Sequence, residues 1–153
     1  MTSEQIESII EYKDLSAEFF TWQIGNCDES IDEEDRFTKF YEEEILTNCI
    51  EDDEKVFALM EHTGETYEEA ESAIDSNYRV LTDEEADETL SKYLEQYVED
   101  NVLFQIPVHL QEYFDTQAWI EDNNSDRGTW LNYVNGEEYE ETINGTTYYI
   151  YNI

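Results

Sequence analysis

Between Thr82 and Phe104 apolar residues recur at helical spacing inside an almost unbroken run of carboxylates. Ala86, Leu90, Tyr93, Leu94, Tyr97 and Val98 fall on one face of a helix. Asp83, Glu84, Glu85, Asp87, Glu88, Glu95, Glu99 and Asp100 fill the rest against a single Lys92. Thr82 and Glu85 have the spacing of a capping box, in which a hydroxyl and a carboxylate satisfy free amides of the first turn. Any fold built on such a segment must bury a narrow apolar face and leave the acids in water.

The same division runs along the whole chain. Its 153 residues include 41 acidic and seven basic side chains, a formal net charge of −34 at pH 7. Charge on that scale opposes compaction and by itself favours disorder. The hydrophobic fraction of 39%, the aromatic fraction of 14% and the clear periodicities point instead to a folded core. Such a fold carries strong self-repulsion, so added salt is expected to raise its melting temperature. The length fits a single acidic domain over residues 1–153, or two packed lobes, a helical one over 1–76 and one over 77–153.

Taken in order, Thr2 or Ser3 caps a first helix with Ile6, Ile9 and Ile10 on its inner face, interrupted near Asp14. Ser16 restarts it through Phe19, Phe20 and Trp22 as far as Gly25-Asn26. Ser30 and Glu33 have capping-box spacing for a helix to Cys49, with Phe37, Phe40, Tyr41, Ile45 and Leu46 as its buried stripe. Asp52 or Asp53 caps a third helix closed by Thr63-Gly64, and Thr66 with Glu69 caps a short fourth. Tyr78–Leu81 reads as a strand leading into the long helix, which Pro107 breaks. Val108–Phe114 and Thr116–Glu121 read as short helical pieces, and residues 123–128 as a loop. Thr129–Val134 is strand-like, Asn135-Gly136 is a turn, and Asn144-Gly145 between Glu137–Ile143 and Thr146–Tyr151 is a strong hairpin signal. The expected fold class is α+β: a mainly helical body with a C-terminal antiparallel β-hairpin or small sheet, to which Tyr78–Leu81 can add.

Catalytic and metal-binding patterns fail on inspection. Asp28–Asp32 and Asp122–Asp126 begin like calcium loops, but Glu33 and Arg127 stand where glycine is needed, and Lys39 and Tyr133 where the closing glutamate belongs. His62 and His109 lack a second ligand at metal spacing, and His62 suits a helix C-terminus. Cys27 and Cys49 are too far apart for a redox or zinc pair and are expected as buried thiols in a reducing compartment. With no glycine-rich phosphate loop and no nucleophile–base set, the expectation is no enzyme, no cofactor and no metal. Seven scattered cations cannot form a basic patch, so direct nucleic-acid binding is not expected. The absence of a basic leader or bilayer-length apolar run predicts a soluble, cytoplasmic protein with no membrane partner.

Charge is therefore the chief functional feature. Thirty-four charges match those on roughly 58 Å of duplex DNA, or about 17 base pairs. The candidate partner-binding carboxylates are Asp32, Glu33, Glu34, Asp35, Glu42, Glu43 and Glu44 on the second long helix, Glu68 and Glu69 on the short fourth, and Asp83, Glu84, Glu85, Asp87, Glu88, Glu95, Glu99 and Asp100 on the central one. Their partner would be a basic DNA- or RNA-binding protein. Among the aromatics, Phe37, Phe40, Tyr41, Tyr93 and Tyr97 are expected in the core. Tyr12, Tyr113, Trp119, Trp130, Tyr133 and Tyr139 are freer to anchor an interface.

Two stretches resemble small proteins of phages and other mobile elements, together covering about half the chain. One is Tyr78–Glu88, YRVLTDEEADE; the other runs from Arg127-Gly128 through Asn135-Gly136-Glu137-Glu138-Tyr139 and Asn144-Gly145 to Tyr148-Tyr149-Ile150-Tyr151. Ile106-Pro107 with Leu110–Trp119, LQEYFDTQAW, is similar to a segment of ArdA-type antirestriction proteins. That resemblance implies an acidic DNA mimic, an elongated homodimer that occupies the DNA groove of type I restriction–modification enzymes. The expected function is a phage-type inhibitor in the host cytoplasm that fills the nucleic-acid cleft of a restriction–modification enzyme or CRISPR effector. The alternative is an acidic adaptor or structural phage protein that binds a non-DNA partner through exposed aromatics.

Overall fold

A computed structural model describes residues 1–124 and 126–153. Ser125, within the loop expected over residues 123–128, lies outside the described residues. Helix α1 (Ser3–Tyr12) opens on a full capping box. The Thr2 hydroxyl accepts from the Gln5 amide at 3.2 Å, and the Gln5 side-chain oxygen accepts from the Thr2 amide at 3.0 Å. Asp14 takes a left-handed turn and α2 (Ser16–Asn26) follows. Helix α3 (Glu33–Phe40) widens into π-helical turns over Tyr41–Ile45 and ends as α4 (Leu46–Asn48).

Ser30 does not cap α3. Its amide, 2.8 Å away, and its hydroxyl both donate to the Asp28 carboxylate, and Asp32 takes the capping position instead. Nor does an aspartate cap α5 (Glu51–Thr63). Ile50 occupies that position, and Asp53 returns its carboxylate to the Ile50 amide at 3.4 Å from inside the helix. In α6 (Tyr67–Ala73) Glu69 likewise accepts from the Thr66 amide, at 3.1 Å.

Strand β1 (Tyr78–Thr82) leads directly into α7 (Asp83–Tyr97) through the Thr82–Glu85 capping box. The helix continues as π-helical turns over Val98–Val102 and a 3-10 turn over Leu103–Gln105 before Pro107 stops it. Then come α8 (Val108–Gln111), α9 (Thr116–Asn123) and α10 (Arg127–Leu131). The strand expected over Thr129–Val134 is thus corrected. The Asp126 carboxylate accepts from the Thr129 amide at 3.2 Å, which starts a helical turn and sends Leu131 into the core.

Strands β2 (Tyr139–Ile143) and β3 (Thr146–Asn152) form the hairpin, with Asn144 at φ 52° and Gly145 at φ 84°, the left-handed pair that a tight hairpin turn requires. The sheet is antiparallel in the order β1-β3-β2, so the last strand lies in the middle, with Val80 opposite Ile150 and Leu81 opposite Tyr149. Alternation along β3 sends its side chains to two cores. Tyr148 and Ile150 join Ile6, Ile9, Phe40, Phe57, Leu59 and Met60 from α1, α3 and α5. Tyr151 joins Ala86, Leu90, Leu94, Ile120 and Leu131 from α7, α9 and α10. The fold is α+β, helical layers on both faces of a small sheet. No helix among the described residues is long and apolar enough to cross a membrane.

Candidate interaction surface

Burial of the apolar residues of α3, α6 and α7 and of the π-helical turns directs the candidate carboxylates outward. Asp32, Glu33, Glu34 and Asp35 crowd the first turn of α3, where backbone amides favour negative charge. Glu42, Glu43 and Glu44 project from the π-helical turns between buried Tyr41 and Ile45. Glu68 and Glu69 lie on the outer side of α6, opposite buried Ala70 and Ala73. On α7 and its extension, Asp83, Glu84, Asp87, Glu88, Glu95, Glu99 and Asp100 are exposed and only Glu85 is half-buried. They do not converge on one patch. The acids of α3 and α6 belong to the layer on one face of the sheet, and those of α7 to the layer on the other.

Three of these carboxylates are engaged by the protein's own cations. Arg127 donates from Nη1 to Asp83 at 2.8 Å and Asp87 at 3.1 Å. Its Nε and Nη2 grip both oxygens of Glu138, at 2.9 and 3.1 Å, and the guanidinium lies 4.4 Å from the centroid of the Tyr149 ring. Burial alone would lower the pKa of Arg127, but Glu138 and Asp83 raise it, so the guanidinium stays charged. Lys55 reaches from α5 to Glu85 at 2.9 Å. Asp83, Asp87 and Glu85 are thus structural as well as surface groups. Within the first layer, Lys13 pairs with Asp53 at 2.7 Å. Arg36 and Lys39 donate to backbone carbonyls, Arg36 to those of Asp28 and Ile31 and Lys39 to that of Asn26.

Tyrosines engage one further acid, Glu54, and share Asp53 and Glu138 with the cations. Tyr148 donates to Glu54 at 2.7 Å, Tyr67 to Asp53 at 3.2 Å and Tyr151 to Glu138. Burial first, and then the adjacent carboxylates, push all three hydroxyls well above the ordinary tyrosine range and keep them protonated donors. Among the described residues, Glu84, Glu88, Glu95 and Glu99 on α7 and its π-helical extension make no ion pair and form a stripe about 22 Å long at helical rise, with exposed Lys92 at the same spacing beside them.

Aromatic placement departs from expectation at one core position. Phe40 and Tyr41 are buried and Phe37 and Tyr97 are half-buried, but Tyr93 is 37% exposed, its ring leaning on Trp130 at 5.9 Å. Trp119, Trp130 and Tyr139 are half-buried, the two tryptophans packed around Tyr97. Tyr12, Tyr113 and Tyr133 are exposed. Tyr113 belongs to an exposed apolar group with Phe104, Val108 and Leu110, three residues that sequence periodicity had no means of finding, because Leu103-Phe104 continues the apolar spacing of α7 past the end of its core.

A groove of about 610 Å³ between α1–α2, α3 and α5 is lined by Leu15, Trp22, Phe40, Ile45 and Cys49. Burial, with Glu54 and Asp53 nearby, raises the Cys49 pKa and holds it as a thiol rather than a thiolate nucleophile. Among the described residues no group of three or more His, Cys, Asp or Glu side chains is placed to hold a metal ion. No protein-family model, curated protein or solved structure matches this chain.

Proposed function

We propose that the chain is a nucleic-acid mimic, of the kind phages use against host defence, that fills the basic cleft of a restriction–modification enzyme or CRISPR effector. The observation that best supports this reading is the segregation of charge. Arg127, Lys55 and Lys13 are drawn into internal ion pairs, while the stripe Glu84, Glu88, Glu95 and Glu99 and the clusters Asp32–Asp35 and Glu42–Glu44 face water. Apart from exposed Lys92 beside that stripe, the outward face of α7 is acidic, and the surface presents a strongly negative field. Such a field steers a basic partner to fast association that weakens with salt. The partner acts in the host cytoplasm on this reading, and pairing of two copies into an elongated dimer is the assembly that the ArdA resemblance brings with it.

The test is capture from bacterial lysate on immobilised protein at low and high salt, with elution by duplex or single-stranded DNA. Recovery of a DNA- or RNA-processing protein that salt releases and nucleic acid displaces supports mimicry. Reversal of Glu84, Glu88, Glu95 and Glu99 to Lys should abolish that capture while leaving the circular dichroism spectrum intact. Undiminished capture by the reversed variant would sink the reading. Exposed Phe20, Ile24, Phe104 and Tyr113 favour a second reading, an adaptor that binds a non-DNA partner. In that case capture survives high salt and is lost on aromatic-to-Ala substitution.

A further inference from the structure

The connection from α7 to α9 forms a tip in which four large apolar side chains face water together. Phe104 is 84% exposed, Val108 83%, Tyr113 77% and Leu110 46%, and none belongs to either core. The tip is held by its own hydrogen bonds. The Gln111 side-chain Nε2 donates to the carbonyls of Leu103 at 2.8 Å and Ile106 at 3.0 Å, and the Phe114 backbone amide donates to the Gln111 carbonyl at 3.1 Å. Stacking of Tyr97 on Trp119, with centroids 5.7 Å apart, fixes the base where α9 doubles back on α7. Glu99, Asp100, Glu112 and Asp115, within a few residues of these apolar groups along the chain, are all exposed, and no lysine or arginine occurs between Lys92 and Arg127.

That combination specifies its occupant. A second copy would bring two negative rims together, and a neutral apolar pocket would leave the carboxylates unmatched. The complementary surface is an apolar or aromatic pocket flanked by lysine and arginine. Sites for single-stranded nucleic acid have this construction, a basic groove with aromatic platforms on which bases stack. A duplex site instead reads backbone and groove edges of stacked base pairs. We propose that residues 99–115 dock in a single-strand site of the partner, Phe104 and Tyr113 in the places of unstacked bases and the flanking carboxylates in those of phosphates. This rests on the mimic reading above and narrows its target to a protein that handles single strands.

The experiment compares the native chain with a Phe104→Ser/Tyr113→Ser variant as bait for bacterial lysate at low salt. Bound proteins are eluted with oligothymidylate or with duplex DNA at matched phosphate. The expected result is release by oligothymidylate at about a tenfold lower phosphate concentration than by duplex. Capture by the variant should fall about tenfold for each stacking contact removed. Circular dichroism and the melting temperature should be unchanged, since both side chains are exposed. Equal release by duplex with full capture by the variant would overturn the docking assignment alone and leave mimicry standing. Absence of any partner displaced by either nucleic acid would overturn both. Sedimentation of the native chain at high salt completes the test: a dimer that the variant cannot form would assign the tip to a second copy and refute the proposal.

Discussion

Lys55 ties α5 to the first turn of α7, 2.9 Å from Glu85 and 3.6 Å from Glu51. Burial alone would raise the Glu85 carboxyl, but the Lys55 ammonium and the Thr82 hydroxyl hold it below its ordinary value of 4.5. A carboxylate lowered in the folded state contributes stability above its unfolded pKa and loses that contribution as pH falls through the folded one. Lys55→Met should therefore cost about 1 kcal/mol at neutral pH. Its deficit against the native chain should shrink as pH drops below about 4.5, as read by urea unfolding across pH. A deficit constant into the acid range would show that Lys55 acts by packing alone. The pairings of Lys55 with Glu85 and Arg127 with Asp83 span 30 and 44 residues. Helical periodicity relates only residues within a turn or two, so these internal uses of Asp83, Glu85 and Asp87 were invisible in the sequence. Their scarcity was the one available signal: a lone arginine beside a glycine, among so many acids, has many partners to choose from.

At the scale of elements, α10 is held by a close backbone approach. A Cβ on Gly128 would lie 2.5 Å from the Gly136 carbonyl oxygen and 3.0 Å from backbone atoms of Glu137 and Glu138. Gly128→Ala should lower stability by about 2–3 kcal/mol, because no flexible side chain is there to yield. Gly25→Ala, with nothing within 4 Å, should be neutral or stabilising. Thermal unfolding of the two variants checks the contrast, and equal melting temperatures would contradict the packing described. Elements with local signals were legible in advance: α7 through its capping box and apolar period, α1 through a capping hydroxyl and apolar period, the hairpin through Asn144-Gly145, β1 through its apolar run. Those decided by competition or tertiary contact were not. Ser30 lost its capping role to an acceptor two residues away, Asp28. The five residues of α10 owe their helical turn to the Asp126 cap and to Leu131 seated beside α7. Of the exposed tip only Tyr113 was legible, because an apolar spacing does not say where a core ends.

Over the whole molecule, seven cations cannot balance 41 acids, and the ion pairs within the fold leave most carboxylates facing one another across water. The melting temperature should rise as sodium chloride screens that repulsion, even though the same salt weakens the few internal pairs. A melting temperature flat from low to molar salt would mean that the folded and unfolded chains repel themselves equally. The central position of β3 has a kinetic corollary. The β2–β3 hairpin is local, but Val80 and Ile150 must meet across the intervening chain before the third strand is added, and neither core closes until β3 is seated between its neighbours. Contacts so distant in sequence slow folding, and the α5 and α7 segments meanwhile offer Phe57, Leu59 and Leu94 to any chain they encounter. Unfinished molecules, though, each carry the full negative charge, and like-charged chains collide less often than sticky surfaces require. The acidity that strains the finished fold is then also what keeps slow folders from aggregating.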